Sequence, residues 1–459
     1  MQQQIDLGSG KVSTVIFRFA VPLMVSLFFQ NLYAYVDTVF VSWLGAEALA
    51  AVSLTVPLTY LALSLAKGAS FGSVVLISYA RGQGDEEDGR AIARALLPLM
   101  TLLMAVFAPL LSADLCRAFY GFLGATDAVA AAGIGFTAWL VAGFPVMGYV
   151  FTVEALFMAR GDTMTPMKGQ ILGNVFNVCL DPLFMFVFGW GVTGAAIATF
   201  TGQLVAAAYL RRRLAVQQGE RPGLTLPAGV ARLWRQILGQ GVFITVAYLV
   251  SPVGLMLLNM ILARFGPLAI GAWNLMSRTE MMVLLPIMGL SNALAAFVSF
   301  NFGRGDYGRI REGLAFFFKF ALAIVAPTMV VFSVFPRELT AIFRPAPALV
   351  ELGSAALAAS AVAVLFMPAL FALNGLAQGF RRPAFMLAIG LVYIIAARVP
   401  LAYLFAAHWG ERGVFWSHPA AAILAGALAL ALSARLLADC RRSLAAAAAA
   451  NGKGASIDG

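Results

Sequence analysis

Apolar runs long enough to cross a membrane recur along the whole sequence, and they constrain the fold more than any other feature. The first extends from Phe17 to Gly45, and about 20 apolar residues suffice for one helical crossing. Of all residues, 61% are hydrophobic and only 11% are charged, whereas about a quarter are charged in soluble domains. Because the apolar runs are long rather than short and alternating, we predict an all-α polytopic membrane protein.

The runs predict twelve transmembrane helices and their orientation. The spans lie at about 14–43, 47–80, 91–113, 128–158, 166–188, 192–214, 234–264, 267–301, 309–336, 348–380, 383–407 and 411–438. If the N-terminus is cytoplasmic, most of the 31 Lys and Arg residues fall in cytoplasmic loops, which is the bias that sets orientation. We therefore expect a multi-pass protein of the cell (inner) membrane with both termini cytoplasmic. Because these loops account for the net charge of +10, no nucleic-acid partner is expected.

The two halves of the sequence resemble each other. Residues 44–53 (LGAEALAAVS) precede residues 265–274 (FGPLAIGAWN) by 221 positions, and the same offset aligns SYARGQGD at 78–85 with SFNFGRGD at 299–306. Six spans per half give both halves the same orientation, an arrangement that suits alternating access around a central cavity. The predicted organisation is an N-terminal six-helix lobe at 1–214, a cytoplasmic linker at 215–233, a C-terminal six-helix lobe at 234–440 and a disordered cytoplasmic tail at 441–459.

Polar side chains form stripes on several spans of the N-terminal half. Asp37 lies well inside the first run, and a carboxylate at that depth must face a protein interior or a water-filled cavity. On a helical period Gln30 and Tyr33 share its face. The stripe of the fifth span consists of Gln170, Asn174, Asn177 and Asp181, and that of the sixth consists of Ala195, Thr199 and Gln203. These stripes predict a polar site within the membrane.

Three carboxylates, those of Asp37, Glu154 and Asp181, lie at membrane depth in this one half. They cannot all stay ionised unless a cation balances them. Oxygen ligands from carboxylate, amide and hydroxyl groups suit Na⁺, and a carboxylate that takes up a proton suits H⁺. Both coupling ions stay open at this point. The alternative is that each acid only fixes helix packing through a hydrogen bond, and for Glu154 the two interpretations are evenly matched.

The chain resembles the multidrug and toxic compound extrusion (MATE) transporters over almost all of residues 10–440. The motifs that carry the resemblance are QNLYAYVDTVFVSWLG with Asp37, YARGQGDEEDGR, ARGDTMTPM at 159–167, NVFNVCLDPLFMF at 174–186 and GWGVTGAAIAT at 189–199. The resemblance implies two pseudo-symmetric six-helix bundles in a V-shaped fold. It also implies a secondary active antiporter, not an enzyme, that exports cationic or amphipathic organic compounds in exchange for H⁺ or Na⁺ and uses no other cofactor.

The resemblance also implies which residues form the coupling site. The family's cation site is similar to Asp37, Asn177, Asp181, Thr199 and the backbone at Ala195, with a hinge in the first helix at Pro22. Relatives carry a neutral amide where this sequence has Glu154. The seventh span lacks an acid, and the tenth offers Asn374 instead of a carboxylate. This pattern favours the DinF-like branch over the NorM-like one.

Further residues are expected to line a substrate cavity or to form ion pairs. We expect a substrate cavity near Gln30, Tyr33, Asn174, Met147, Met256 and Met260, because flexible methionines suit varied ligands; plain packing is the alternative for the methionines. For Lys67, Arg278, Glu280 and Arg398 we expect structural ion pairing, with a gating or substrate role as the alternative. We expect His408 and His418 at an interface or in a loop, and a monomeric protein.

Two other functions compete with cation-coupled efflux. A flippase for a lipid-linked or polysaccharide precursor would call for a cationic central groove, yet the first spans offer only Lys67. A membrane-embedded enzyme of the glycosyltransferase type would carry its catalytic acids in sizeable loops, and the loops here are short apart from the linker. Both features favour the efflux transporter.

Overall fold

The computed structural model of the protein describes residues 4–218, 223–343 and 346–454. Within these ranges all regular secondary structure is helical. The helices of the first half are α1 Val12–Ser42, α2 Ala46–Gln83, α3 Glu86–Ala105, α4 Ala113–Phe122, α5 Asp127–Ala159, α6 Met164–Pro182 and α7 Gly191–Gln218. The helices of the second half are α8 Val230–Leu262, α9 Pro267–Arg304, α10 Tyr307–Val334, α11 Pro336–Ala341, α12 Pro347–Gly379, α13 Ala384–Leu391 and α14 Val399–Gly454.

Ten helical stretches of the described chain are long and apolar enough to cross a membrane. The last of them, Ala384–Ala446, has 63 residues, and a backbone break at Gly410 (φ 60°) divides it. Since about 20 residues make one crossing, this stretch has the length for two spans. Helix α3, which has 20 residues and precedes the ten-residue α4, is long enough for one more span. The structure therefore agrees with the twelve predicted spans.

The internal repeat reappears in the structure. Helices α2 and α9 begin and end 221 positions apart. The Ser70 hydroxyl donates to the Phe151 carbonyl oxygen at 3.1 Å, and in the second half the Ser291 hydroxyl donates to the Phe371 carbonyl oxygen at 2.7 Å. In both halves a serine of a long helix thus bonds to the helix packed beside it.

In the described ranges each half also contains one π-helical segment, within a stretch long enough to cross a membrane. The first, Leu183–Val187, follows Pro182 at the end of α6, and the second, Val392–Arg398, joins α13 to α14. A proline lacks the N–H that would continue the α-helical bonds, which accounts for the first break. Such segments occur frequently at functional sites.

The chain forms two compact units. The N-terminal unit contains Val25–Ile77 and Asp85–Thr245, and the C-terminal unit contains Asp6–Met24, Ser78–Gly84 and the residues from Val246 onward. Helix α1 is therefore divided after Met24, two residues beyond the predicted hinge at Pro22. The predicted lobes at 1–214 and 234–440 instead place the whole of α1 in the first lobe.

Close backbone contact fixes α6 against α7 in the N-terminal unit. A Cβ added at Gly202 would lie 2.6 Å from the Gly173 carbonyl oxygen, and one added at Gly173 would lie 2.8 Å from the Gly202 carbonyl oxygen. Only glycine permits this approach. It brings the polar stripes of α6 and α7 together. In the C-terminal unit α12 packs against α9, α10 and α14.

The end of the chain differs from the sequence-based expectation. We expected disorder throughout 441–459, but α14 continues to Gly454. The alanine run at 445–450 explains the difference, because alanine has the highest helix propensity. The remaining residues, 455–459, lie outside the described ranges. The predicted linker at 215–233 contains the end of α7 and the start of α8, and its residues 219–222 are not described.

Candidate cation-coupling site

Side chains from α1, α6 and α7 converge within the N-terminal unit. The Asn177 amide nitrogen donates to Asp181 Oδ1 at 3.4 Å and to Thr199 Oγ1 at 3.2 Å. The Tyr33 and Thr199 hydroxyl oxygens are 3.3 Å apart. Asn177 and Asp181 share a face of α6 because they are four residues apart. One turn before Thr199, Ala195 is buried in α7.

Several oxygen atoms of this cluster lack a hydrogen-bond partner in the structure. They are Asp37 Oδ1, Asn177 Oδ1 and Asp181 Oδ2, all buried. Asp181 is 0% exposed, and the charge of Asp37 acts on it directly. An ionised carboxylate can only accept hydrogen bonds, and two of them side by side repel each other. The arrangement therefore suits a proton or a hard cation held by oxygen atoms.

Glu154 has a different charged neighbour from the one its position in the sequence suggests. The residue is buried in α5, and the charge that acts on its carboxylate is the ammonium of Lys67 in α2. Asp181 thus interacts electrostatically with Asp37, and Glu154 interacts with Lys67. Glu154 Oε1 is buried and has no hydrogen-bond partner.

The predicted substrate-cavity residues occupy varied environments. The side-chain amide nitrogen of Asn174 is buried and has no hydrogen-bond partner, and Met147 is buried in α5. Gln30 is half-buried in α1. By contrast, Met256 and Met260 are 64% and 58% exposed on α8. The methionines of α8 are available for contacts with lipid or ligand and are not part of a packed core.

The C-terminal unit contains a buried polar cluster that the sequence did not reveal. His418, expected at an interface or in a loop, is instead 2% exposed. Its Nε2 lies 3.0 Å from Glu280 Oε1 and 2.9 Å from Oε2. Arg398 approaches the hydroxyl of Tyr393 at 3.4 Å and stacks over the ring of Trp273 at 4.5 Å. The available signal was that Glu280 and His418 both interrupt long apolar spans.

Among the described residues, no group of three or more His, Cys, Asp or Glu side chains could hold a metal ion. The MatE family model matches residues 22–183 and 244–404, one segment in each half of the repeat. Together the two segments cover most of the chain. The chain belongs to the MatE family. MATE proteins are transporters, so the protein is a multi-pass membrane transporter and not an enzyme.

Curated relatives span nearly the full length of this MATE protein. The FAD transporter of Shewanella oneidensis is 24% identical over 95% of this chain and 97% of its own length. Multidrug export protein MepA of Staphylococcus aureus is 24% identical over 91% of this chain and 92% of its own length. The relatives thus include a drug exporter and a transporter named for a dinucleotide.

Solved MATE structures share the fold. An outward-facing multidrug resistance MATE transporter of the MOP superfamily matches with a TM-score of 0.90 at 22% identity, covering 96% of this chain and 99% of that one. Crystal structures of MATE in the bent and straight conformations match with TM-scores of 0.89 and 0.90, each at 22% identity. They cover 97% and 96% of this chain and all of theirs. This similarity supports the MATE fold.

Proposed function

We propose that this MATE protein is a multidrug antiporter that exports cationic or amphipathic organic compounds in exchange for H⁺ or Na⁺. The observation that carries the proposal is the set of buried oxygen atoms without partners on Asp37, Asn177 and Asp181. An entering cation neutralises the repulsion between the two carboxylates. The residues of the proposed site all belong to the N-terminal unit, which supports the DinF-like interpretation of the sequence.

The coupling step changes the packing of α1. Binding of the cation draws Asp37 toward Asp181 and Asn177 on α6, and α1 then bends near Pro22. That proline lies inside the helix, where it removes one backbone hydrogen bond. Its position next to the division of α1 between the two units supports a hinge there. One charge moving through 100 mV supplies about 2.3 kcal/mol, enough to shift such an equilibrium.

Dye efflux with independent control of the two ions tests this proposal. A cationic dye is loaded into cells or inverted membrane vesicles, the proton gradient is collapsed, and Na⁺ is varied separately. We expect export to stop when the gradient of one of these ions is removed and to be unaffected by the other. Export that continues with both gradients absent would overturn cation coupling.

A second substrate class has a specific observation in its favour. Arg398, in the C-terminal unit, is a base that follows Asp181 by 217 positions, close to the repeat offset of 221. The relative from Shewanella oneidensis is named an FAD transporter. A guanidinium group pairs well with phosphate. If the substrate is a flavin dinucleotide, cells that overproduce the protein should release more FAD. Unchanged FAD in the medium together with active dye efflux would exclude this candidate.

A further inference from the structure

The buried cluster of the C-terminal unit forms a continuous hydrogen-bonded chain across four membrane segments. Ser360 on α12 donates its hydroxyl to Glu280 Oε2 at 2.9 Å, and His418 Nε2 contacts both oxygens of the same carboxylate. The His418 Nδ1 atom lies 2.9 Å from the Tyr393 hydroxyl. The chain ends where Arg398 Nη1 approaches that hydroxyl at 3.4 Å. Glu280 belongs to α9, His418 to α14, and Tyr393 and Arg398 to the second π-helical segment.

The donors and acceptors of this chain fit a neutral imidazole at His418. A guanidinium group can only donate, so the Tyr393 oxygen accepts from Arg398. The Tyr393 hydrogen is then free to bond to His418 Nδ1, which in this arrangement is the acceptor. The other ring nitrogen, Nε2, carries the hydrogen and donates it to the Glu280 carboxylate. With a neutral imidazole every contact in the chain joins a donor to an acceptor, and the charges of Arg398 and Glu280 balance.

A proton added to His418 changes this pattern in a defined way. It binds the lone pair of Nδ1, which becomes a donor toward the Tyr393 oxygen. That oxygen then faces two donors, and the tyrosine hydrogen must turn away. The charged groups facing the imidazole are Glu280 and Arg398, and Tyr393 is the remaining titratable neighbour. The cluster gains one positive charge at membrane depth. Repulsion between this charge and the Arg398 guanidinium opposes the weak bond between Arg398 and Tyr393.

We propose that the C-terminal unit binds a proton at His418, separately from the Asp37 and Asp181 site, and that this proton releases Arg398 from Tyr393. Arg398 Nε and Trp273 Nε1 are both buried and without partners, so the released guanidinium keeps free donor capacity beside the indole. The segment that carries Tyr393 and Arg398 is π-helical and can absorb the change in local backbone geometry. The role of this proton in transport rests on the proposed antiport, but the protonation step does not.

The two histidines of the chain allow a direct test. The protein has only His408 and His418, and His408 is exposed and bonded to the Leu404 carbonyl oxygen of its own helix. In the His408→Gln variant, ¹⁵N-labelled histidine reports on His418 alone. We expect ring nitrogen shifts of the neutral Nε2–H form at alkaline pH, changing to the doubly protonated form on acidification. The opposite neutral tautomer, or a ring that never takes up a proton, would overturn the proposal.

Efflux measurements on variants distinguish a proton-binding site from a packing contact. We expect His418→Gln to lose the part of the pH dependence of efflux that follows protonation of His418, while His408→Gln keeps the full profile. Tyr393→Phe retains the ring and its packing, so it covers the case in which His418→Gln fails to fold; it should flatten the same part of the profile. A pH profile unchanged in folded Tyr393→Phe protein would contradict the proposal. If dye efflux itself proves absent in the wild type, the NMR result still decides whether His418 binds the proton.

Discussion

Asp37 and Asp181 form the residue pair on which the proposed coupling depends. Asp37→Asn and Asp181→Asn each keep the size of the side chain but remove one negative charge. Each variant should fold and bind substrate, and each should lose efflux against a gradient. Because the two carboxylates hold one cation together, the double variant should be no worse than either single one. Efflux assays at matched expression check this, and wild-type export in either single variant would contradict the pair as the coupling site.

Glu154 should adjust transport without being essential, because its charge partner is Lys67 rather than Asp37 or Asp181. In Glu154→Gln the buried ammonium loses its counter-charge. We expect the pH optimum of efflux to shift while part of the activity remains. Glu87→Gln serves as the control, since that carboxylate is exposed at the start of α3. Complete loss of efflux in Glu154→Gln at normal expression would instead assign it a primary coupling role.

For single residues, the sequence identifies buried acids better than it identifies the side chains that interact with them. Asp37, Asp181 and Glu154 stand out because carboxylates are expensive within apolar runs. The neighbourhood of each acid depends on packing between helices far apart in sequence. Glu154 therefore looked like a member of one three-acid site. His418 escaped notice for the same reason, because its partner Glu280 lies 138 residues away.

Among the elements, the α6–α7 contact is the one that builds the site. Gly202→Ala places a methyl group against the Gly173 carbonyl oxygen, so the two helices must separate. Such overpacking costs about 1–3 kcal/mol, and it should also stretch the bond from Asn177 to Thr199. We expect a lower melting temperature in detergent and weaker ion-dependent efflux.

The matched control for that substitution is Gly239→Ala in α8, where an added Cβ meets nothing within 4 Å. Alanine is favoured over glycine in a helix by roughly 0.5–1 kcal/mol, so this variant should be as stable as the wild type or slightly more stable. Equal melting temperatures for Gly202→Ala and the wild type would show that α6 and α7 tolerate a wider spacing.

The N-terminal segment is held to the start of α10 by Arg309. Its guanidinium donates to the Gly10 carbonyl oxygen at 2.8 Å and to the carbonyl oxygens of Leu7 and Ser9 at 3.2 Å. Within this segment the Ser9 hydroxyl and the Gly8 N–H, with Arg304 nearby, hold the pKa of Asp6 below its usual value. The ionised carboxylate therefore stabilises the folded state.

The pH dependence of the stabilisation by Asp6 follows from the direction of its pKa shift. Because the pKa of Asp6 is lowered on folding, the stabilisation is present above the unfolded pKa and disappears as the pH falls through the folded value. Asp6→Asn should lower the melting temperature slightly at neutral pH, and the difference from the wild type should vanish in acid. The side chain is largely exposed, so the effect should stay below about 1 kcal/mol. A difference that grows on acidification would contradict this sign.

The elements themselves were largely predictable, because hydrophobic run lengths and the repeat locate the spans. The π-helical segment after Pro182 follows a visible proline, whereas the one at Val392–Arg398 precedes its nearest proline, Pro400, and had no comparable signal. The continuation of α14 to Gly454 was missed because a charge-poor alanine run at a chain end resembles a tail. The high helix propensity of alanine accounts for the helix there.

For the whole molecule, the central claim is that substrate export is coupled to cation entry. The MATE fold supplies two similar units, but their polar interiors differ. In the N-terminal unit, Asp37 and Asp181 each have one buried carboxylate oxygen without a hydrogen-bond partner. In the C-terminal unit, a hydrogen-bonded chain joins Arg398 to Glu280. From this difference we propose that the principal coupling ion binds in the N-terminal unit.

The most direct test runs the exchange backwards in proteoliposomes. An exchanger must move its cation when a substrate gradient is the only driving force, because coupling between two ligands is reciprocal. Wild-type protein is reconstituted with a dye substrate on one side and with no ion gradient, and H⁺ and Na⁺ movements are recorded. We expect one of the two cations to move against the dye flux, and Asp181→Asn to abolish that movement. Dye that crosses the membrane through the wild-type protein with neither cation moving would contradict the proposed antiport.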